Sequence, residues 1–300
     1  MTFRQLEAFY WAATCSSFAI AASRVHLTVS SLSKRIAELE SSLGQALFDR
    51  SGYRAVLTPV GERLLPLATD LLRRAEQVAS TVRQVAGLEG GCRIGTGELA
   101  SISWVPHWVR AIREAHPGLK ISVVVDIGEG LTERLEKGDL DVAVIAGRSR
   151  RPGLQAAALT RASFVWCAEP ELARRVGRLN ASAFAGRTLI SLPRGSGVTH
   201  ILDDWLERAG ARPEQMLTTN QWGLVASLIG AGEGVGILPK GLAQALESRK
   251  RLCILPTRHR LRMLEYGFHF RHDDPRTLVP ELHRLCMTCA DFDAPGSLAY

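Results

Sequence analysis

Along the N-terminal part of the chain, apolar positions recur every three or four residues and are interrupted by short polar corners. Met1 to Thr14 reads as a helix with Leu6, Phe9 and Tyr10 or Trp11 on its inner side. Ser17 to Phe48 predicts two more helices separated by a Gly-free corner at His26 and Leu27. Ser17 is a good N-cap for the first, whose stripe is Phe18, Ala21, Ala22 and Val25. Thr28 caps the second, with Leu32, Ile36, Leu39 and Leu43 as its buried face. The two alanines allow the helices to cross steeply at close range. The second helix turns Ser30, Ser31, Ser33, Lys34 and Arg35 the other way. Short hydroxyls at a helix tip with cations behind them suit insertion into a DNA major groove.

The next segment, LFDRSGYRAVLTPVGERLL, places Arg50 and Arg54 on a Gly-containing turn between β-prone pieces, and Thr58-Pro59 then starts a new helix. This pattern predicts a β-wing whose arginines reach flanking phosphates or the minor groove. Residues 3–68, through SF…AA…L, S-(K/R)-x-I-x-x-LE-x-x-LG-x-x-LF-x-R and LT-x-x-G, resemble the N-terminal domain of LysR-type transcriptional regulators. The resemblance implies a winged helix-turn-helix that binds an operator in double-stranded DNA. Its DNA-facing residues would be Thr28, Val29, Ser30, Ser31, Ser33, Lys34, Arg35, Arg50 and Arg54. One position departs from the family. Where a Gln able to read a base edge is usual, this chain has Val29, which offers only an apolar surface such as a thymine methyl would meet.

From Pro59 to about Leu88 a single long helix is predicted, with Leu64, Leu67, Leu71, Ala75, Val78, Val82 and Val85 as a narrow apolar seam. Pairing with a second copy would bury that seam, and two symmetric copies suit two half-sites. Glu89-Gly90-Gly91 reads as a flexible break. After it the pattern becomes strand, helix, strand, helix, strand, the signature of a parallel α/β sheet with right-handed crossovers, with KISVVVDIG and DVAVIAG as buried strands. The pattern repeats from RTLISL to GVGILP, and LEYGFHFRH leads into a last helix. The expected fold is therefore α/β overall: a helix-rich winged domain at 1–58, a linker helix at 59–88, and a two-lobed, periplasmic-binding-protein-like domain at 92–300. Lobe I is expected at about 92–162 and 268–292, and lobe II at about 163–267. The resemblance extends here more loosely, through DLDVAV and GAGEGVGILP.

Composition adds little. The formal net charge is +7, yet the first ninety residues hold ten Lys/Arg against eight Asp/Glu, so the bulk charge does not point to DNA. The local grouping of Arg24, Lys34, Arg35, Arg50 and Arg54 is more telling. No uninterrupted apolar run approaches a membrane span, which leads to the expectation of a cytoplasmic protein with no membrane partner. The six cysteines, including the Cys286–Cys289 pair, are expected as free thiols, and the dispersed histidines give no metal-ligand spacing.

Gly95 to Ala100 fits G-x-G-x-x-A after a strand, with Asp126 ending the next strand, the outline of a dinucleotide site. The short first strand, Pro106 and the long spacing to Asp126 weaken that reading, while the same backbone makes an anion cradle. GAGEGVGILP lacks the Lys-Ser/Thr of a phosphate loop. No nucleophile has an evident base, so no catalytic residue, metal or cofactor is assigned, and the chain is expected not to be an enzyme. In a two-lobed receptor the ligand sits between the halves. That juxtaposes Thr96, Gly97, Glu98, Ser101, Gly128, Gly147, Ser196, Thr219 and Asn220, the loops where the family resemblance implies a small, often anionic effector. The resemblance further implies a homotetramer built from linker-helix dimers, and admits RNA polymerase as a partner. Two alternatives are an NAD-linked enzyme using the Gly95–Ala100 loop and a DNA-binding oligomer without an effector.

Overall fold

The computed structural model describes residues 1–51, 55–82, 88–147, 151, 153–274 and 276–292. Helix α1 (Phe3–Thr14) starts at a reciprocal cap, in which Thr2 and Gln5 each accept the other's backbone N–H. Helix α2 (Phe18–Arg24) is capped by Ser17, and α3 (Val29–Leu43) by Thr28, whose Oγ1 accepts from Ser31 N at 3.2 Å. His26 takes a left-handed φ of 54° in the corner, so the chain turns there without glycine. Gly44, at φ 67°, ends α3. Leu6, Phe9, Ala21, Ala22, Leu32, Ile36 and Leu39 form one buried core, and the alanines lie at its centre with almost no exposed surface. Leu43, expected on the buried face, is 38% exposed, because the helix ends before that turn meets a neighbour.

Strands β1 (Phe48–Asp49) and β2 (Val56–Leu57) pair antiparallel as the stem of the wing. Glu40 ties this stem to α3 by accepting from the N–H groups of Leu47 and Phe48, at 2.8 and 3.1 Å. Helix α4 (Pro59–Val82) then leaves the domain. Leu64, Leu65, Ala68 and Leu72 pack back on the winged-domain core, whereas Leu67, Leu71 and Val78 are exposed. The seam expected to be wholly free is thus split between two faces; Val85 lies outside the described residues.

A strand begins at Gly90, so the expected break at Glu89-Gly90-Gly91 is mostly ladder: β3 (Gly90–Thr96). It is followed by α5 (Glu98–Ser103), α6 (Val105–Ala115), β4 (Leu119–Val125), α7 (Gly128–Glu136), β5 (Val142–Ala146) and β6 (Leu154–Ala162). The helical stretch is interrupted at Trp104, and Pro106 lies in the first turn of α6, just past that break. The second lobe holds β7 (Phe164–Ala168), α8 (Pro170–Val176), a short 3₁₀ turn at Ala181–Phe184, β8 (Thr188–Ser191), α9 (Val198–Ala209), β9 (Gln215–Thr218), α10 (Trp222–Gly230), β10 (Val235–Pro239), α11 (Lys240–Ser248) and β11 (Cys253–Ile254). Strand β12 (Leu264–Arg271) and helix α12 (Leu278–Cys289) return to the first lobe.

The two sheets run β4-β3-β5-β12-β6 and β11-β7-β10-β8-β9. In each, three parallel strands carry the crossover helices, and the connecting strands join antiparallel, so the sheets are mixed rather than purely parallel. Strand β4, expected to be buried, is an edge strand with Val123 and Val125 exposed. The chain re-enters the first sheet at Leu264, and passes between the lobes at Ala162–Phe164 and after Ile254.

Candidate functional site

Two surfaces stand out. The first is the tip of α3. Thr28, Val29, Ser30, Ser31 and Lys34 are exposed, and Ser33 and Arg35 are half-buried at the helix flanks. Thr28 Oγ1 lies 3.0 Å from Ser30 Oγ and 2.9 Å from Ser31 Oγ, so the hydroxyls form one linked group around the cap. Val29 is 46% exposed at the first helical position, a large apolar side chain facing solvent with no intrachain use. Arg50 is exposed beside the stem of the wing, with Nη2 3.4 Å from Glu40. Arg54 lies outside the described residues.

Arg24 does not join this surface. Its side chain is 4% exposed and salt-bridged to the fully buried Asp141 of the first lobe. It therefore drops out of the local cationic grouping that the sequence suggested: proximity to α3 along the chain did not translate into a shared face.

The second surface is a cavity of about 310 Å³ between the lobes. Of the residues anticipated for a ligand, Gly97, Glu98, Gly128, Ser196 and Asn220 line it. Gly147 lines the adjoining outer part, with Arg194 and His200. Three anticipated residues do not reach it. Thr96 is fully buried, with its Oγ1 donating to Gly97 O at 3.1 Å. Ser101 turns back on its own helix, donating to Glu98 O at 2.7 Å. Thr219 Oγ1 faces the Gln221 N–H, at 3.4 Å, ahead of α10. The walls that sequence reasoning missed are apolar and aromatic: Ile127, Leu131, Ile145, Leu192, Trp222 and Tyr266. Strand-end positions were the available signal, since β5 ends and β12 begins there, but the pairing that brings Tyr266 beside Ala146 is long-range.

Glu98 spans the cleft. From the start of α5 in the first lobe its carboxylate accepts from Trp222 N, at 2.6 Å, at the start of α10 in the second. Burial raises its pKa, while the backbone N–H groups of Trp222 and Gly223 act in the opposite sense. Gly95, the first glycine of the G-x-G-x-x-A stretch, has a packing explanation: a Cβ there would lie 2.6 and 2.9 Å from Leu140 and Leu131 side-chain carbons, whereas a Cβ on Gly97 would meet nothing within 4 Å. Asp126 accepts from Ile127 N at 2.8 Å and lies 3.7 Å from Arg134. Among the described residues lining the inner cavity, the charged groups are Glu98 and Asp126, and no Lys, Arg or His is present. The arrangement supplies binding groups rather than an acid–base pair next to a nucleophile. No cluster of three or more metal-ligating side chains occurs among the described residues.

His269, fully buried beside the outer cavity, sits 3.1 Å from Gly147 O through Nε2, and burial lowers its pKa. The cysteines are free. Burial pushes the Cys92 thiol up to about 12 and raises Cys167 and Cys286 as well, and no cysteine lines the cavity.

The sequence matches two family models: the bacterial regulatory helix-turn-helix protein, lysR family, over residues 3–62, and the LysR substrate binding domain over residues 86–287. A probable hydrogen peroxide-inducible genes activator of Mycobacterium avium is 31% identical over 256 residues, spanning 84% of this chain and 82% of the relative. The HTH-type transcriptional regulator IlvY of Escherichia coli is 26% identical over 277 residues, 88% of each chain. Among solved structures, a full-length OxyR from Pseudomonas aeruginosa shares the fold with a TM-score of 0.67, at 20% identity, over 99% of this chain and 97% of that one. With its winged helix-turn-helix ahead of a two-lobed effector domain, the chain belongs to the LysR-type transcriptional regulators.

Proposed function

We propose that this regulator reads an interrupted dyad in double-stranded DNA through the tip of α3, and that a small molecule between the lobes sets its activity. The observation that carries the DNA assignment is the solvent-facing tip itself. Residues 28–31 and Lys34 project from a closed hydrophobic core, and Val29 has no intrachain reason to be exposed. Base selection falls to Thr28, Val29, Ser30, Ser31 and Ser33, with Val29 favouring a thymine methyl. Phosphate contacts fall to Lys34, Arg35, Arg50 and Arg54.

The exposed Leu67, Leu71 and Val78 of α4 support a dimer through that helix, and two such dimers would make the family-type tetramer. RNA polymerase is a further partner consistent with this role, and the DNA target places the protein in the cytoplasm. For the effector, the inner cavity offers Glu98 and Asp126 with apolar walls. It suits a ligand that turns hydrogen-bond donors inward. The outer part adds Arg194 as a cation for an anionic group, with Glu129 and Asp203 also in its lining. Binding would favour one arrangement of the oligomer through differential affinity for the two.

Selection of duplexes from a random library by the full-length protein, followed by footprinting, tests the reading. Two protected half-sites one or more helical turns apart are expected. Failure to enrich any duplex, at salt low enough for non-specific binding, would refute it.

A further inference from the structure

The end of the first lobe opposite the cleft carries the winged domain of the same chain. Trp11 of α1, buried in the docked chain, has three guanidinium groups near its ring. Arg276 lies 4.9 Å, Arg24 5.1 Å and Arg271 5.7 Å from the ring centroid. Arg24 belongs to the winged domain; the other two belong to the first lobe. Asp141 pairs with both Arg24 and Arg276, and its other oxygen accepts from Arg93 N at 2.6 Å. Arg271 donates to Tyr10 Oη at 3.0 Å, and Arg24 Nε donates to Gly138 O at 3.1 Å. A main-chain bond, Ser16 N to Lys137 O at 2.9 Å, crosses the same junction.

Charges leave water only where partners replace it. Here the partners come from both domains, so the network is complete only when they are docked. The elements that supply it are those that floor the cleft. Helix α7 opens at Gly128 and Leu131 in the cavity and ends at the Lys137-Gly138 turn. Strand β5 follows Asp141 directly and ends at Ala146 in the cavity. Strand β3 carries Arg93 at its midpoint and leads to Gly97 in the cavity. Strand β12 presents Leu264 and Tyr266 to the cavity and Arg271 to the junction.

We infer that the first lobe is a socket that fixes the orientation of its own chain's winged domain, and that the cleft sets the aim of α3 through these four elements as well as through α4. The tip of α3 stays exposed while docked, so the socket governs where the tip points rather than whether DNA can reach it. Its consequence is selectivity for half-site spacing.

The test uses full-length protein. The Ser16 amide lies outside any helix and bonds across the junction, so its hydrogen exchange reports docking. Protection of roughly tenfold or more is expected in the unmodified protein, falling toward the free rate in Arg24→Gln. A freely exchanging Ser16 amide in the unmodified protein would overturn the socket. On duplexes chosen by the unmodified protein, Arg24→Gln should bind a single half-site within about twofold, yet lose discrimination between spacings altered by one or two base pairs. Loss on the half-site equal to that on the full site would make Arg24 a DNA contact, and unaltered spacing preference would remove the socket's role; either result refutes the inference. Tyr10→Phe deletes only the hydroxyl and should move both readouts in the same direction by less. If no duplex is selected at all, the DNA reading fails while the exchange measurement still decides the docking.

Discussion

Lys34 and Arg50 offer the sharpest quantitative test, because their exposure and that of Arg24 differ so strongly. Lys34 is exposed behind the α3 tip, and the Arg50 side chain is 47% exposed beside the wing. Each phosphate neutralised contributes about −0.9 to the slope of log affinity against log salt. In a dimer each residue occurs twice, so Lys34→Ala should make that slope shallower by about 1.8. Between 50 and 200 mM salt the variant would then lose about twelvefold less affinity than the unmodified protein. Arg50→Ala should behave similarly. The exposed pair that it gives up with Glu40 is worth only about 0–1 kcal/mol, and Glu40 stays held by two backbone N–H groups. Arg24→Gln is the control: its guanidinium is buried against Asp141, so the slope on a half-site should not change. Fluorescence anisotropy on a selected duplex across a salt series measures all three. Unchanged slopes for both Lys34→Ala and Arg50→Ala would refute the assigned face, as would a shift for Arg24→Gln alone.

Asp141→Ala leaves Arg24 and Arg276 without their shared carboxylate and should destabilise the protein by about 3–5 kcal/mol. Arg24→Gln, which leaves Asp141 paired with Arg276, should cost about 1–3 kcal/mol; urea unfolding followed by circular dichroism should keep that order. His269 is buried with a lowered pKa, so below about pH 6.5 the unfolded chain takes up a proton that the folded one resists, and stability falls as pH falls. His269→Gln should flatten that acid slope in melting curves recorded from pH 7 to 5; an unchanged slope would assign it to other groups. Leu71→Lys places a charge on the exposed face of α4 and should weaken the dimer at least roughly a hundredfold, read by sedimentation. A dimer as tight as the unmodified one would move the interface elsewhere.

The core of the winged domain was legible in the sequence, because its determinants are local. Caps at Ser17 and Thr28, the paired alanines and the period of Leu32, Ile36 and Leu39 lie within a few turns of each other. The alternation of strands and helices likewise announced two α/β lobes. What the sequence could not reveal depends on contacts between distant positions. Edge or centre for β4, the pairing of Tyr266 with Ala146, and the reach of Glu98 to the start of α10 are set only when sheets and lobes assemble. Hydroxyls picked as ligand contacts, Thr96, Ser101 and Thr219, turned instead to nearby backbone, the usual competing use of such side chains at helix starts. Arg24 illustrates the same limit. By composition it was one more cation beside a DNA-reading helix; its partner Asp141 lies 117 positions along the chain, and only folding brings the two together in a site where a bare charge could not remain.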